Sequence, residues 1–387
     1  MFVNTENMLF SLLRSQICTT KANDSLPSSV TEEELSALYA LAHRHDLAHI
    51  IAQALSRHHL LGHGGTGDDF RQALAEAAYR NEQFQYELSE ICRALTDDAI
   101  PHLPLKGAAI RTLYPAPWMR TSCDIDILVH ESDLDRAAEA LTEALGCRAS
   151  EKRNYHDIAL FCPGGIPIEL HFSIRENMPA SDRLLSRVWE FSFPSSEGKM
   201  TYQQSETYLF FHIIAHMAYH FQYGGCGIRP LMDLYLLESK TSPDRALLHS
   251  MLEESGLQRF YSCVRALIGV WFGTDPHTDL TKNMQKFILS GGAYGTRSNF
   301  EIVRQQRAGG STRYIFQRIF MPYDDLKQKY PVLEKHRFLT PMYQAVRWCG
   351  LLRGKKLSRS IQTLRGIRNL DADKIETVHN LLKEVGL

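Results

Sequence analysis

The spacing of apolar positions changes character along the chain. Glu32-Glu-Glu-Leu-Ser-Ala-Leu-Tyr-Ala-Leu-Ala42 repeats leucines at helical intervals, with acids in its first turn and Thr31 ahead of it as a cap. Four glycines between Leu61 and Asp69 predict a loop, and a long helix runs from about Phe70 to Asp97. His102 to Lys106 is short and extended, and Gly107 to Tyr114 predicts a helix ended by Pro115 and Pro117. Cys123 to Val129 alternates polar and apolar residues with the period of a strand. Ser132 to Leu145 is helical and stops at Gly146. His156 to Cys162 and Ile166 to Phe172 predict two strands joined by a turn at Pro163-Gly164-Gly165. From about Ser205 onward the pattern is helical again. A helix between one strand and an antiparallel pair predicts a small α+β core with a mixed sheet. The expected organisation is an N-terminal helical region (1–98), a core (99–195) and a larger C-terminal helical region (196–387).

Composition narrows the function classes. The chain has 387 residues, 44% hydrophobic and 22% charged, enough apolar material for a real core without staples. A formal net charge of −1 argues against a general polyanion binder, so no stable nucleic-acid binding is expected. Eight cysteines are scattered with no Cys-x-x-Cys pair, which argues against a zinc ribbon or a compact disulfide framework. A reduced, cytoplasmic chain is the simplest expectation. The first residues lack the basic start and apolar run of a signal peptide. No segment reaches the ~20 apolar residues of a membrane span, and Tyr208 to Phe221, with three histidines, reads as a buried helix.

Candidate chemistry centres on Arg120-Thr-Ser-Cys-Asp-Ile-Asp-Ile-Leu-Val129. Alternation sets Asp124 and Asp126 on one face while Ile125 and Ile127 enter the core. Two carboxylates held that close need a cation, and magnesium suits oxygen ligands that leave room for phosphates. In Ile166-Pro-Ile-Glu-Leu-His-Phe172, Ile166, Ile168, Leu170 and Phe172 share the core face, while Glu169 and His171 share the other. Glu169 is the expected third acid, binding the catalytic metal and helping to take the proton of an attacking hydroxyl. Lys106 and Gly107, at a strand-to-helix turn, offer a charge and a close backbone approach to phosphate. Arg120 and Ser122 stand just before the first acid, within reach of the same phosphates.

This order of elements resembles the DNA polymerase β-like nucleotidyltransferase superfamily. More narrowly, the chain resembles the bacterial family known as uncharacterised nucleotidyltransferase, through Leu105-Lys-Gly-Ala-Ala109, Leu113-Tyr-Pro115, Arg120 to Val129 and Ile168-Glu-Leu-His171. The likeness extends to Leu41-Ala-His-Arg-His-Asp-Leu47, to His216, His220 and Pro230 to Leu237, and to Phe320-Met-Pro322, Lys329-Tyr-Pro331 and Pro341 to Arg347. It implies a metal triad of Asp124, Asp126 and Glu169, two Mg2+ ions with Mn2+ as a substitute, and an NTP as donor. The wider superfamily has a Gly-Ser or Gly-Gly phosphate turn where this chain has Lys106-Gly107. The acceptor is left open: a small molecule, a sugar, a protein or an RNA end.

Three further features bear on function. His212, His216 and His220 recur at steps of four on one helix face, as zinc ligands or as polar residues at the cleft edge facing nucleotide or acceptor. Asp233 is placed to orient one of them or to cap a helix. Ser290-Gly-Gly-Ala-Tyr-Gly295 lacks the Lys-Ser/Thr ending of a phosphate loop and reads as a turn. Residues 347–368 carry seven Lys or Arg and no acid around an apolar stripe, a pattern that packs its stripe on the domain or meets membrane or RNA. The rival functions are a catalytically silent nucleotide-binding module of the same fold and a histidine-metal hydrolase.

Overall fold

The computed structural model describes residues 5–18, 26–196, 198–293, 295–307, 310–330, 332–352 and 372–387. Its architecture is α+β: a mixed seven-stranded sheet in the order β3-β4-β5-β2-β1-β7-β6, surrounded by helices. The N-terminal helices are α1 (Thr5–Ile17), α2 (Glu32–Arg44), α3 (Ala48–Arg57) and α4 (Thr66–Asp97). Thr31 caps α2 as expected, in a reciprocal box with Glu34. Helix α4 begins within the glycine-rich stretch, because Asp68 and Asp69 suit a first turn.

Next come β1 (His102–Pro104), α5 (Gly107–Ile110), β2 (Ile125–Val129), α6 (Leu134–Leu145), β3 (Arg148–Arg153), β4 (Asp157–Phe161) and β5 (Ile168–His171). Then follow α7 (Pro179–Leu185), β6 (Ser192–Ser195), β7 (Gly198–Gln204), α8 (Glu206–Gln222) and α9 (Arg229–Lys240). The helix expected over Gly107 to Tyr114 is shorter: α5 stops at Ile110 and a 3-10 turn carries Arg111–Leu113. Strand β2 begins one residue after Asp124, so that acid lies at the mouth of the strand. Strands β3, β6 and β7 were not anticipated. β3 and β6 are the two edges of the sheet, and Arg-Ala-Ser-Glu-Lys-Arg in β3 is the charged composition of an edge, with no apolar alternation to betray a strand.

Two apolar layers fix the central strands. Ile125, Ile127 and Val129 of β2, with Ile168 and Leu170 of β5, bury against Phe84 and Ile91 of α4 and Leu141 of α6. Leu128 points the other way, into a larger core shared by Leu103, Phe211 of α8 and the N-terminal helices. Asp126 shares that second face by the two-residue period and lies beside the wall built by α8. Phe10 of α1 stacks on Trp271 (centroids 4.5 Å), so the chain's beginning packs against its later helical part.

The expectation that every cysteine is reduced is corrected at one pair. Cys147 and Cys162 are disulfide-bonded, since β3 and β4 pair antiparallel with Arg148 opposite Phe161 and bring the flanking cysteines together. The basic stretch lies largely outside the described residues. Its first residue, Arg347, is buried and donates to the carbonyls of Arg318 and Ile319. Gly292 and Gly295 lie in a turn packed on the backbones of Arg44 and Gly224. No helix among the described residues is long and apolar enough to cross a membrane.

Candidate functional site

Parallel pairing of β2 with β5 sets Asp126 directly beside Glu169 and Leu128 beside His171. The acids and His171 therefore meet on one side of the sheet because their apolar neighbours fill the other. His171 Nε2 lies 2.8 Å from Asp126 Oδ1 and 3.5 Å from Glu169 Oε2. Lys106 Nζ approaches the same Asp126 oxygen at 3.4 Å. All of these groups, with Asp124, line a cavity of about 320 Å³. A larger cavity of about 570 Å³ lies between α9 and the helix Gln258–Phe272, where Glu238 pairs with Arg265 at the surface, and holds none of the sheet acids.

Charge is distributed unequally between the two aspartates. Burial pushes the Asp124 carboxyl up to about 6, helped by Asp126 and Glu169 and opposed by Lys106. Burial also opposes ionisation of Asp126, yet Lys106 and the hydrogen bond from His171 hold it well below the usual carboxylate range. Burial disfavours charge on His171, but hydrogen bonds to Asp126 and Glu169 outweigh it and raise the imidazole to about 8. Lys106 is raised as well, its burial offset by Asp126, Glu176, Glu169 and Asp124. Two basic groups thus face an acid cluster that a bound cation would satisfy.

The Lys106-Gly107 turn is built from beneath. Lys106 has φ +40°, a conformation costly for a residue with a Cβ, and the Leu105 amide is tied to the Asp126 carbonyl at 3.0 Å. Gly107 leaves room for the Ser122 hydroxyl: a Cβ there would meet Ser122 Oγ at 2.3 Å and turn it away from Arg111. Arg111, missed by sequence reasoning, organises the turn from the core. It lies over the Phe84 ring and donates to the Gly107 carbonyl (3.1 Å), Asn81 Oδ1 (3.0 Å) and Ser122 Oγ (3.4 Å). A lone arginine on a short apolar helix gives no sequence signal for that role.

Arg120 stands on the cavity wall, but its Nε binds both oxygens of Asp233 at 2.9 and 3.1 Å. Asp233 also accepts from the Tyr114 hydroxyl at 2.7 Å. The expectation that Asp233 orients a histidine or caps a helix is therefore corrected: it anchors Arg120 from α9. Arg120, Ser122, Lys106 and Gly107 do share the cavity.

The histidines of α8 face the acids without converging on a common point. His212 bonds Gln204, His216 Nδ1 lies 2.5 Å from Glu176 Oε1, and His220 Nε2 meets His216 Nε2 at 3.1 Å. Among the described residues the groups with metal-ligand spacing are Asp126/Glu169/His171 and His156/Asp157/His171; neither the three α8 histidines nor Asp124/Asp126/Glu169 as a set is one of them, His171 standing with Asp126 and Glu169 where Asp124 was expected. Burial lowers all three: His212 to about 3, with Lys106 and His216 adding to it; His216 well below its usual range, with Lys106 next; and His220 to about 3, with His216 next. Glu176, Tyr155, His156 and Tyr219 also line the cavity and were not anticipated. Glu176 lies in an irregular loop after β5, held by its own amide to Asp182 Oδ1 at 2.8 Å, where no periodicity marks it.

A family model described as "Uncharacterised nucleotidyltransferase" matches residues 31–273, more than half of the chain and the whole of this cavity. No curated protein and no solved structure matches the chain.

Proposed function

The chain belongs to that uncharacterised nucleotidyltransferase family, and from this premise we propose that it transfers a nucleoside monophosphate from an NTP to an acceptor hydroxyl, using Asp124, Asp126 and Glu169 as metal-binding acids. The observation that carries the reading is the register of β2 on β5, which sets Asp126 beside Glu169 at a cavity that also holds Asp124 and Lys106. The donor set fits a hard divalent cation, because its carboxylates crowd enough to raise Asp124 to about 6 through burial and mutual repulsion. Asp124 and Asp126 would hold two magnesium ions and Glu169 one of them, with manganese as a substitute. When bound, the metal supplies charge neutralisation for the triphosphate and acidifies the acceptor hydroxyl.

The chain's own groups do the positioning that phosphoryl chemistry chiefly needs. Lys106, the Gly107 amide, Ser122 and Arg120 hold phosphate oxygens. The acceptor oxygen bonds to the α-phosphorus, its proton passes to Glu169, and the bond to the bridging oxygen breaks with pyrophosphate leaving. The wall of His216, His220 and Glu176, opposite the acids, orients the acceptor. The test is incubation with each labelled NTP, Mg2+ and cell extract, beside an Asp126→Asn control. A labelled product and pyrophosphate, both absent from the control, are expected. Nucleotide binding without pyrophosphate under any acceptor would leave the catalytically silent module in its place.

Glu176 gives a second measurement. Its carboxylate at 2.5 Å fixes which nitrogen of His216 carries the proton. Glu176→Gln is expected to lower kcat/KM for the acceptor roughly a hundredfold while leaving KM for the NTP within about twofold. A change confined to the NTP would place these histidines on the nucleotide instead.

A further inference from the structure

A second cluster adjoins the acids and shares His171 with them. Asp157 and His171 are directly opposed across the β4–β5 ladder, and His156 precedes Asp157 at the start of β4. The Asp157 carboxylate is buried, held at Oδ1 by Asn154 Nδ2 (2.7 Å) and at Oδ2 by His156 Nε2 (2.8 Å). The His156 and His171 rings lie 20° from parallel with centroids 5.4 Å apart. One ligand atom from each of the three residues lies within 4.8 Å of the other two.

Both rings have a nitrogen that the protein leaves unused. His171 commits Nε2 to Asp126 and Glu169, and His156 commits Nε2 to Asp157. Nδ1 of each ring is buried with no hydrogen-bond partner, although the His171 side chain is only 3% exposed. Buried imidazole nitrogens are ordinarily satisfied, and the Nδ1 of His171, on the strand position opposite the buried Asp157, has no protein group to satisfy it among the described residues.

We propose that His156, Asp157 and His171 form a transition-metal site, of the kind zinc occupies, beside the oxygen site proposed for Asp124, Asp126 and Glu169. Two imidazoles and one carboxylate are the donors zinc accepts, with His156 binding through the Nε2 that already meets Asp157 and His171 through its Nδ1, and three protein ligands leave a position for water. A metal-bound histidine characteristically donates its other N–H to a carboxylate, and Asp126 already takes that place at His171. The ion would lock the start of β4 to the end of β5 and fix His171 against Asp126. His156 lines the cavity, which gives the ion its route in. The inference does not depend on nucleotide transfer.

The test is titration of the metal-free full chain with Co2+ in excess Mg2+, which fills the oxygen site, with zinc content of the purified protein measured alongside. One equivalent of cobalt with visible d–d absorption is expected. His156→Ala and Asp157→Asn should each weaken it by about a hundredfold or more, and Asp124→Asn should leave it in place. Circular dichroism establishes that each variant is folded. Should neither variant fold, absence of bound zinc and of the cobalt signal in the wild-type chain would overturn the proposal by itself. A signal untouched by His156→Ala, or one lost in Asp124→Asn while His156→Ala keeps it, would also overturn it.

Discussion

Asparagine at position 124 is expected to abolish nucleotidyl transfer and, in the same protein, to make the metal-free chain harder to unfold. The activity loss, about a thousandfold or more, follows from removing a charged metal ligand. The stability gain follows from electrostatics. Burial pushes Asp124 up to about 6, with Asp126 and Glu169 adding to it, against ~3.9 for an unfolded aspartate. Between those values the folded state binds the proton more tightly, so stability falls as pH rises through the window. Above about pH 6 the full penalty is present, on the order of 2–3 kcal/mol as an upper figure, and below about pH 4 it vanishes. Asp124→Asn removes the charge, so in EDTA its advantage should be largest at pH 8 and absent near pH 4. Urea denaturation at both pH values measures it, and Mg2+ should erase the difference by stabilising only the wild type. Equal stability at pH 8 in EDTA would mean that the carboxylates do not crowd. The neighbouring acid has the opposite sign: Asp126 is stabilised by Lys106 and His171, so its removal leaves two basic groups facing an empty place.

That asymmetry marks how far the sequence could be read. Alternation at Ile125/Ile127 and Ile168/Leu170 was enough to put Asp126 and Glu169 on the same side of two strands, because burial of the apolar set permits one register only. What alternation does not encode is the partner across space. Asp233 lies in the apolar repeat of α9, equally compatible with a histidine or an arginine, and only the packing of α9 on the 3-10 turn at Arg111–Leu113 selects Arg120. Glu176 and Arg111 escaped for the same reason: their roles come from non-local contacts. The α8 histidines show the converse limit. Spacing by four puts them on one face, but each ring turns to a different partner, Gln204, Glu176 or its neighbour, so a shared face is not a shared ligand point. The polar edges of the sheet, β3 and β6, bury none of their described side chains, so no apolar period marks them.

Asp233→Ala is expected to cost about 3–5 kcal/mol of stability, the largest loss of any single truncation at this site. Asp233 and Arg120 are 3% and 11% exposed, so solvent does little to screen their bond or to replace it once broken. The substitution leaves the Arg120 guanidinium charged and largely buried, and it strips the Tyr114 hydroxyl of its acceptor at the same time. Asp233→Asn keeps an oxygen for Tyr114 and should lose less, while Tyr114→Phe, which deletes one neutral-to-charged hydrogen bond, should lose about 1.5–3 kcal/mol. The same bond ties α9 to the loop that carries Ser122 and Asp124, so damage should reach the nucleotide. With Arg120 unanchored, KM for the NTP should rise at least about tenfold in the variants that still fold, and Asp233→Asn separates that effect from unfolding. Urea midpoints ordered Asp233→Ala below Asp233→Asn below wild type, with KM moving in parallel, are the expected result. If Asp233→Ala unfolds at the wild-type midpoint, Arg120 is held by its other contacts, and the helical region does not set the position of the phosphate-facing wall.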